Sequence, residues 1–133
     1  MSANGTNERL AELGLELPEP AAPCANYVPF VRTGDEFDVE EGQRAARLCA
    51  LNVMAQLRVS VNDDLDRVVR CVRIAGYVSS TPEFHGQSQV VNGASDLFVE
   101  IFGERGRHAR MAVGVAALPY DVAVEVEGVF EVR

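Results

Sequence analysis

A chain of 133 residues is the length of one domain, and 20 acidic against 12 basic residues give it a net charge of −8, which argues against a nucleic-acid partner. Hydrophobic residues make up 47% of it, enough for a core, and six Phe, three Tyr and no Trp leave that core to Val, Leu, Ile and Ala. No apolar run approaches the ~20 residues of a bilayer span, no secretory leader pattern is visible, and Cys24, Cys49 and Cys71 suggest neither a disulfide framework nor a zinc motif. No membrane partner and no metal is therefore expected, and a reduced cytoplasmic setting is.

In chain order, Thr6 or Asn7 caps a short helix over 8–13 that Gly14 stops. A Pro-rich lead follows to Pro23, so that residues 1–23 form a helix and linker ahead of the rest. The run from Tyr27 to Arg32 reads as a strand, at an edge because of Pro29. From Glu40 to Arg58 an apolar stripe at i, i+3, i+4 spacing predicts the first long helix, with Arg44, Arg47 and Arg58 mostly off the stripe. Asn62-Asp63-Asp64 breaks it. Arg67 to Val78 is rich in β-branched residues and predicts a central strand. After a turn at Ser79–Pro82, a second helix runs from Pro82 or Gly86 to Phe102, with Val90, Ala94, Leu97 and Ile101 on one face and Gly93 a local weakness.

Two more strands close the chain, around a turn containing Leu118-Pro119. From Val122 to Val132 the even positions are all apolar and the odd ones include Glu125, Glu127 and Glu131, a period-two pattern with one buried face. Two helices on a mostly antiparallel sheet make an α+β sandwich, in one domain over 1–133. A hairpin turn over 116–121 would put Val115 opposite Val122. Arg110 and Glu125 would then share a face a diagonal step apart, ~7 Å between backbones; a one-residue slip would separate them.

Arg suits a carboxylate because its fork makes two parallel charge-assisted bonds. Glu suits a water, because it accepts hydrogen bonds and takes a proton when partly desolvated. Taken as residues alone, the pair is more simply an interstrand or intersubunit ion pair. His108, two residues before Arg110, shares its face and reads as a rim residue; Glu127 reads as a solvated position.

Ala109-Arg110 with Val113, Val115-Ala116 and Leu118-Pro119, followed by Val124-Glu125-Val126-Glu127, resembles the C-terminal signature of the RidA/YjgF family of enamine/imine deaminases. Weaker agreement comes from Asn26-Tyr27-Val28, Val91-Asn92 and the helix around Gln43–Arg47, so that the likeness runs from about Tyr27 to the end. It implies a chorismate-mutase-like α+β fold, a mixed, mostly antiparallel sheet under two helices, and a homotrimer with sites at its subunit interfaces. It also implies hydrolysis of reactive 2-aminoacrylate-type enamines or imines to 2-keto acids and ammonia, as in 2-iminobutanoate/2-iminopropanoate deaminases, without metal or organic cofactor. Arg110 would hold the substrate carboxylate and Glu125 the attacking water, with Tyr27, Asn92 and position 112 lining the site.

Three departures stand against this. Gly34 runs almost directly into Asp35–Val39, where the family has roughly twenty more residues and a Ser-Gly-Gln strand, far beyond ordinary loop variation. Ala112 stands where many deaminases carry Cys. The acidic lead is longer than in compact members, as in a subgroup of unassigned substrate. The alternative expectation is a non-catalytic trimer that binds a small carboxylate as sensor or scavenger.

Overall fold

The computed structural model describes residues 5–20 and 38–133. The expected strand at 27–32, Cys24 and Tyr27 lie outside them. The described elements are helix α1 (Thr6–Glu12), helix α2 (Val39–Ser60), strand β1 (Val68–Ser79), helix α3 (Gln87–Phe102) and strands β2 (Ala109–Val115) and β3 (Val124–Val132), with single 3-10 turns at Leu65–Arg67, Gly103–Gly106 and Pro119–Asp121.

The long helices form where the apolar stripes predict them, α3 starting after Gly86 and not at Pro82. Asp38 caps α2 by accepting from the Glu40 backbone N–H at 2.9 Å. Past its end, Asn62 and Asp63 adopt left-handed backbone (φ 54 and 64), a conformation Asn and Asp tolerate better than most residues. The short helix differs from expectation at its start. Gly5, not Thr6 or Asn7, is its N-cap. Having no side chain to offer, Gly5 leaves the cap to Asp66, whose Oδ1 accepts from Thr6 N–H at 2.6 Å. A Cβ on Gly5 would stand 2.8 Å from Asp66 Oδ2, so the glycine makes room for this distant cap.

The sheet order is β2-β1-β3. β2 runs parallel to β1, with Ile74 opposite Arg110 and Gly76 opposite Ala112. β3 runs antiparallel to β1, with Tyr77 opposite Glu125 and Gly76 opposite Val126. The expected hairpin between the last two strands is therefore wrong: β1 lies between them. The physical reason is that β1 carries the most buried run of the sheet, Ile74 to Gly76 with Val78, so its backbone groups need a strand partner on each edge. Residues 116–123 carry the chain past the end of β1 rather than through a tight turn. Ser80 N–H donates to Val115 O and Ser79 N–H to Ala123 O, which joins that end of β1 to both neighbours.

Helices α2 and α3 cover one face of the sheet. Ile74 and Val78 point into this layer beside Met54, Val90, Val91, Leu97 and Phe98, all 0% exposed. Phe98 meets Phe130 of β3 at 5.5 Å between ring centroids, edge to face. Gly93, a weak point for the isolated helix, is the contact between helices: a Cβ there would stand 2.1 Å from Gln43 O of α2. Gln43 Nε2 donates to Gln89 O across the same junction, and Arg47 bridges to Glu100. Cys71 is buried in this core and Cys49 packs against it, as small hydrophobes do.

Candidate functional site

Arg110 lies on β2 opposite Ile74, so its side chain emerges on the helix-covered face, at the edge of the sheet, and reaches α3. Its Nη1 donates to Asn92 Oδ1 at 2.6 Å and to Ser95 Oγ at 3.3 Å. Asn92 and Ser95 are three residues apart, one turn of α3, and so present both acceptors on one side of the helix. Arg110 remains exposed, and its Nε and Nη2 make no hydrogen bond among the described residues. Among the described residues that leaves the straight Nε/Nη2 edge of the guanidinium open, an edge that matches two oxygens of a carboxylate. No salt bridge to a described acid neutralises it.

Ala112 is the next residue in the same row, partly buried against the core opposite Gly76. Its methyl group makes the floor beside Arg110 small and apolar. The structure thus sets Asn92 against Arg110, with Ala112 next along the same row of β2.

Glu125 is elsewhere. Its partner on β1 is Tyr77 and that of Arg110 is Ile74, three positions apart with no register shift between them. Side chains alternate along a strand, so the two residues occupy opposite faces, with β1 between their strands. The same-face hairpin geometry is overturned, because the register it needed belongs to a strand pair that does not form. Glu125 borders a groove between α2 and β3, lined also by Cys49, Asn52, Gln56 and Phe130. Burial, reinforced by the Glu125 charge, pushes the Cys49 thiol up to about 11; its Sγ donates to Val124 O. Such a thiol is protonated at neutral pH and is a poor nucleophile. Glu127 faces Arg73 at 3.5 Å, an exposed ion pair on the open face.

Two residues went unassigned on sequence grounds. Ser95 carries no motif, and His108 reads as a rim residue; the only signals were the i, i+3 relation of Ser95 to Asn92 and the offset of two between His108 and Arg110. In the structure His108 Nε2 lies 2.9 Å from Ser95 Oγ, and Nδ1 lies 2.5 Å from Gly106 O. The carbonyl can only accept, so Nδ1 carries the hydrogen, and in neutral imidazole Nε2 then accepts from the Ser95 hydroxyl.

Comparison with known proteins bears on the fold and the family. The family model described as "YjgF/chorismate_mutase-like, putative endoribonuclease" matches residues 31–130. Protein TCP17 of Trypanosoma cruzi is 44% identical over 148 aligned positions, covering 93% of this chain and 92% of that protein. The crystal structure of Atu1372 from Agrobacterium tumefaciens, described as of unknown function, superposes with a TM-score of 0.79 at 39% identity, covering 96% of this chain and 93% of the other. A structure described as a "putative endoribonuclease" from Shewanella oneidensis gives 0.80 at 32%, covering 92% and 96%. The alignment to the trypanosome protein is longer than the present chain, so the relative carries residues without a counterpart here.

Proposed function

The chain belongs to the YjgF/chorismate-mutase-like family, and from that premise we propose that it hydrolyses small reactive 2-imino acids, of the 2-aminoacrylate type, to 2-keto acids and ammonia. The observation that carries this reading is the open edge of Arg110. Its Nη1 is held from behind by Asn92 and Ser95, and the remaining edge is exposed, uncompensated by any described acid, and shaped for a planar carboxylate.

With the substrate carboxylate on that edge, the imine carbon is one bond away and already electrophilic. Hydrolysis then needs an oriented water and a group to take its proton, and orientation supplies much of the rate. Glu125 is our candidate for that group. Because it sits on the opposite face of its own sheet, it reaches an Arg110 only from a neighbouring subunit, which makes a homotrimer with interfacial sites part of the proposal. The open sheet face, where Met111, Val113 and Val129 stand exposed, offers apolar surface to such an assembly. Tyr27 is a further lining candidate. The setting we infer is cytoplasmic.

The test is ammonia release from freshly generated 2-aminoacrylate. Arg110→Ala and Glu125→Gln should each abolish turnover. Co-assembled, the two variants should recover about a quarter of wild-type activity, because a site drawing its Arg and Glu from different subunits is intact in that fraction of random pairings. Wild-type turnover no faster than that of Arg110→Ala would sink the enzymatic reading and leave a carboxylate-binding protein. An RNA substrate, suggested by the descriptions of relatives, fits the charge of −8 poorly.

A further inference from the structure

We propose that Ser95 and His108 are positioning residues for Arg110, forming a hydrogen-bonded chain from Gly106 that aims the guanidinium at a planar carboxylate; the ligand half of this inference rests on the reading above. The chain has a fixed direction. Gly106 O accepts from His108 Nδ1 (2.5 Å), which selects the tautomer with a bare Nε2. That nitrogen accepts the Ser95 hydroxyl hydrogen (2.9 Å), so the lone pairs of Ser95 Oγ are turned toward Arg110 Nη1 (3.3 Å). Asn92 Oδ1 takes the other Nη1 hydrogen at 2.6 Å.

Both hydrogens of Nη1 are thereby committed, and the fork that remains is Nε with Nη2. Such a side-on fork accepts a carboxylate in one plane, whereas an Arg free to rotate offers several geometries at a larger entropic cost.

The chain is anchored on rigid parts. His108 is half-buried, with its ring edge-on to Phe98 at 6.2 Å and 89°, and Phe98 is 0% exposed. Ser95 lies one helical turn from Asn92, so both acceptors move with α3. A serine hydroxyl beside a histidine also resembles a nucleophile and its base. Here the hydroxyl sits behind the guanidinium, on Nη1, away from the open edge where a ligand would bind, which favours support over attack.

The experiment uses the full chain with 2-oxobutanoate as probe. Nitrogen-15 NMR of the arginine side chains reports whether the Arg110 guanidinium is held, with its signals assigned by Arg110→Lys. In wild type, Nη1 and Nη2 of Arg110 should appear as separate signals; in Ser95→Ala and His108→Phe they should average. The same two variants should bind 2-oxobutanoate roughly tenfold more weakly, the loss of one hydrogen bond to a charged group, with unchanged melting temperature. Ser95→Thr and His108→Gln, which keep a hydroxyl and an acceptor, should restore most of both. An unaltered Arg110 spectrum and affinity in Ser95→Ala would overturn the proposal. So would loss in His108→Gln equal to that in His108→Phe, because the acceptor would then be irrelevant. A wild type that ignores 2-oxobutanoate, yet shows a held guanidinium freed by Ser95→Ala, would refute the carboxylate reading and uphold the positioning chain.

Discussion

The two faces of the sheet contrast sharply. Under α2 and α3 the side chains of β1 and β3 meet helix residues that are wholly buried, and the glycines there are dictated by contact: a Cβ on Gly76 would stand 2.3 Å from Val91. On the other face, Arg70 pairs with Glu131 at 2.8 Å and Arg73 with Glu127 at 3.5 Å, both in the open. Met111, Val113 and Val129 are exposed between these charges. One alternating pattern therefore builds a close-packed layer on one side and leaves a mixed apolar and charged surface on the other. The two residues proposed for a carboxylate and a water are divided between them, Arg110 on the covered side and Glu125 on the open side. A rigid edge suits the residue that must hold geometry, and a surface suits one that would act in a neighbouring subunit.

Substitutions graded by face test this contrast. The largest loss is expected for Phe98→Ala on the covered side. It removes a wholly buried ring that touches Phe130 and His108, and should cost about 3–5 kcal/mol in urea unfolding. A cost below about 1 kcal/mol would mean that the covered layer is not the rigid one.

Next is Gly93→Ala. Its methyl group would collide with backbone at Gln43 O, which no rotamer change relieves, so a loss of about 1–3 kcal/mol is expected although Ala is the better helix former. A stabilised variant would show that the two helices are not in contact there.

A smaller effect belongs to the short lead helix. The Thr6 backbone N–H holds the Asp66 carboxyl below its usual value of 3.8, aided by Arg105 and Arg133. A depressed carboxyl stabilises the fold above the unfolded value and loses that stabilisation as pH falls through the folded one. Docking of α1 should thus be intact at neutral pH and weaken as pH falls below 3.8 through the lowered folded value, with Asp66→Ala removing the acceptor at any pH. Amide exchange over Thr6–Glu12 measures this, and protection in Asp66→Ala equal to that of the wild type at pH 7 would contradict it.

The smallest effect should come from the open face. Arg70→Ala should change stability by less than about 1 kcal/mol, and less still in high salt, because both partners are more than half exposed. A larger, concentration-dependent loss would reveal that this face is covered by another subunit.

Much of the fold could be read from residue pattern. The stripes of α2 and α3, the breaks at Asn62–Asp64 and Gly103, and the β-branched run of β1 are local signals, each satisfied within its own segment. The cap of α1 was not legible, because its acceptor, Asp66, lies 60 residues away. Nor was the purpose of Gly93, which becomes visible only once Gln43 is seen against it.

The candidate site divides in the same way. Arg110, Asn92 and Ala112 could be named from the chain, and Arg110 does reach α3. That Ser95 and His108 stand behind it could not be named, since hydroxyls and lone histidines are common and only their approach distinguishes these.

The sequence by itself determined the elements, the buried faces and the membership of a family, because hydrophobic period and short motifs are written in neighbouring residues. Only the tertiary structure decided which strands are neighbours. The pattern of β2 and β3 is equally satisfied by pairing with each other or with β1, since alternation fixes which side chains face inward but not which strand lies alongside. The requirement of β1 for a partner on both edges settles that choice, and with it the separation of Arg110 from Glu125.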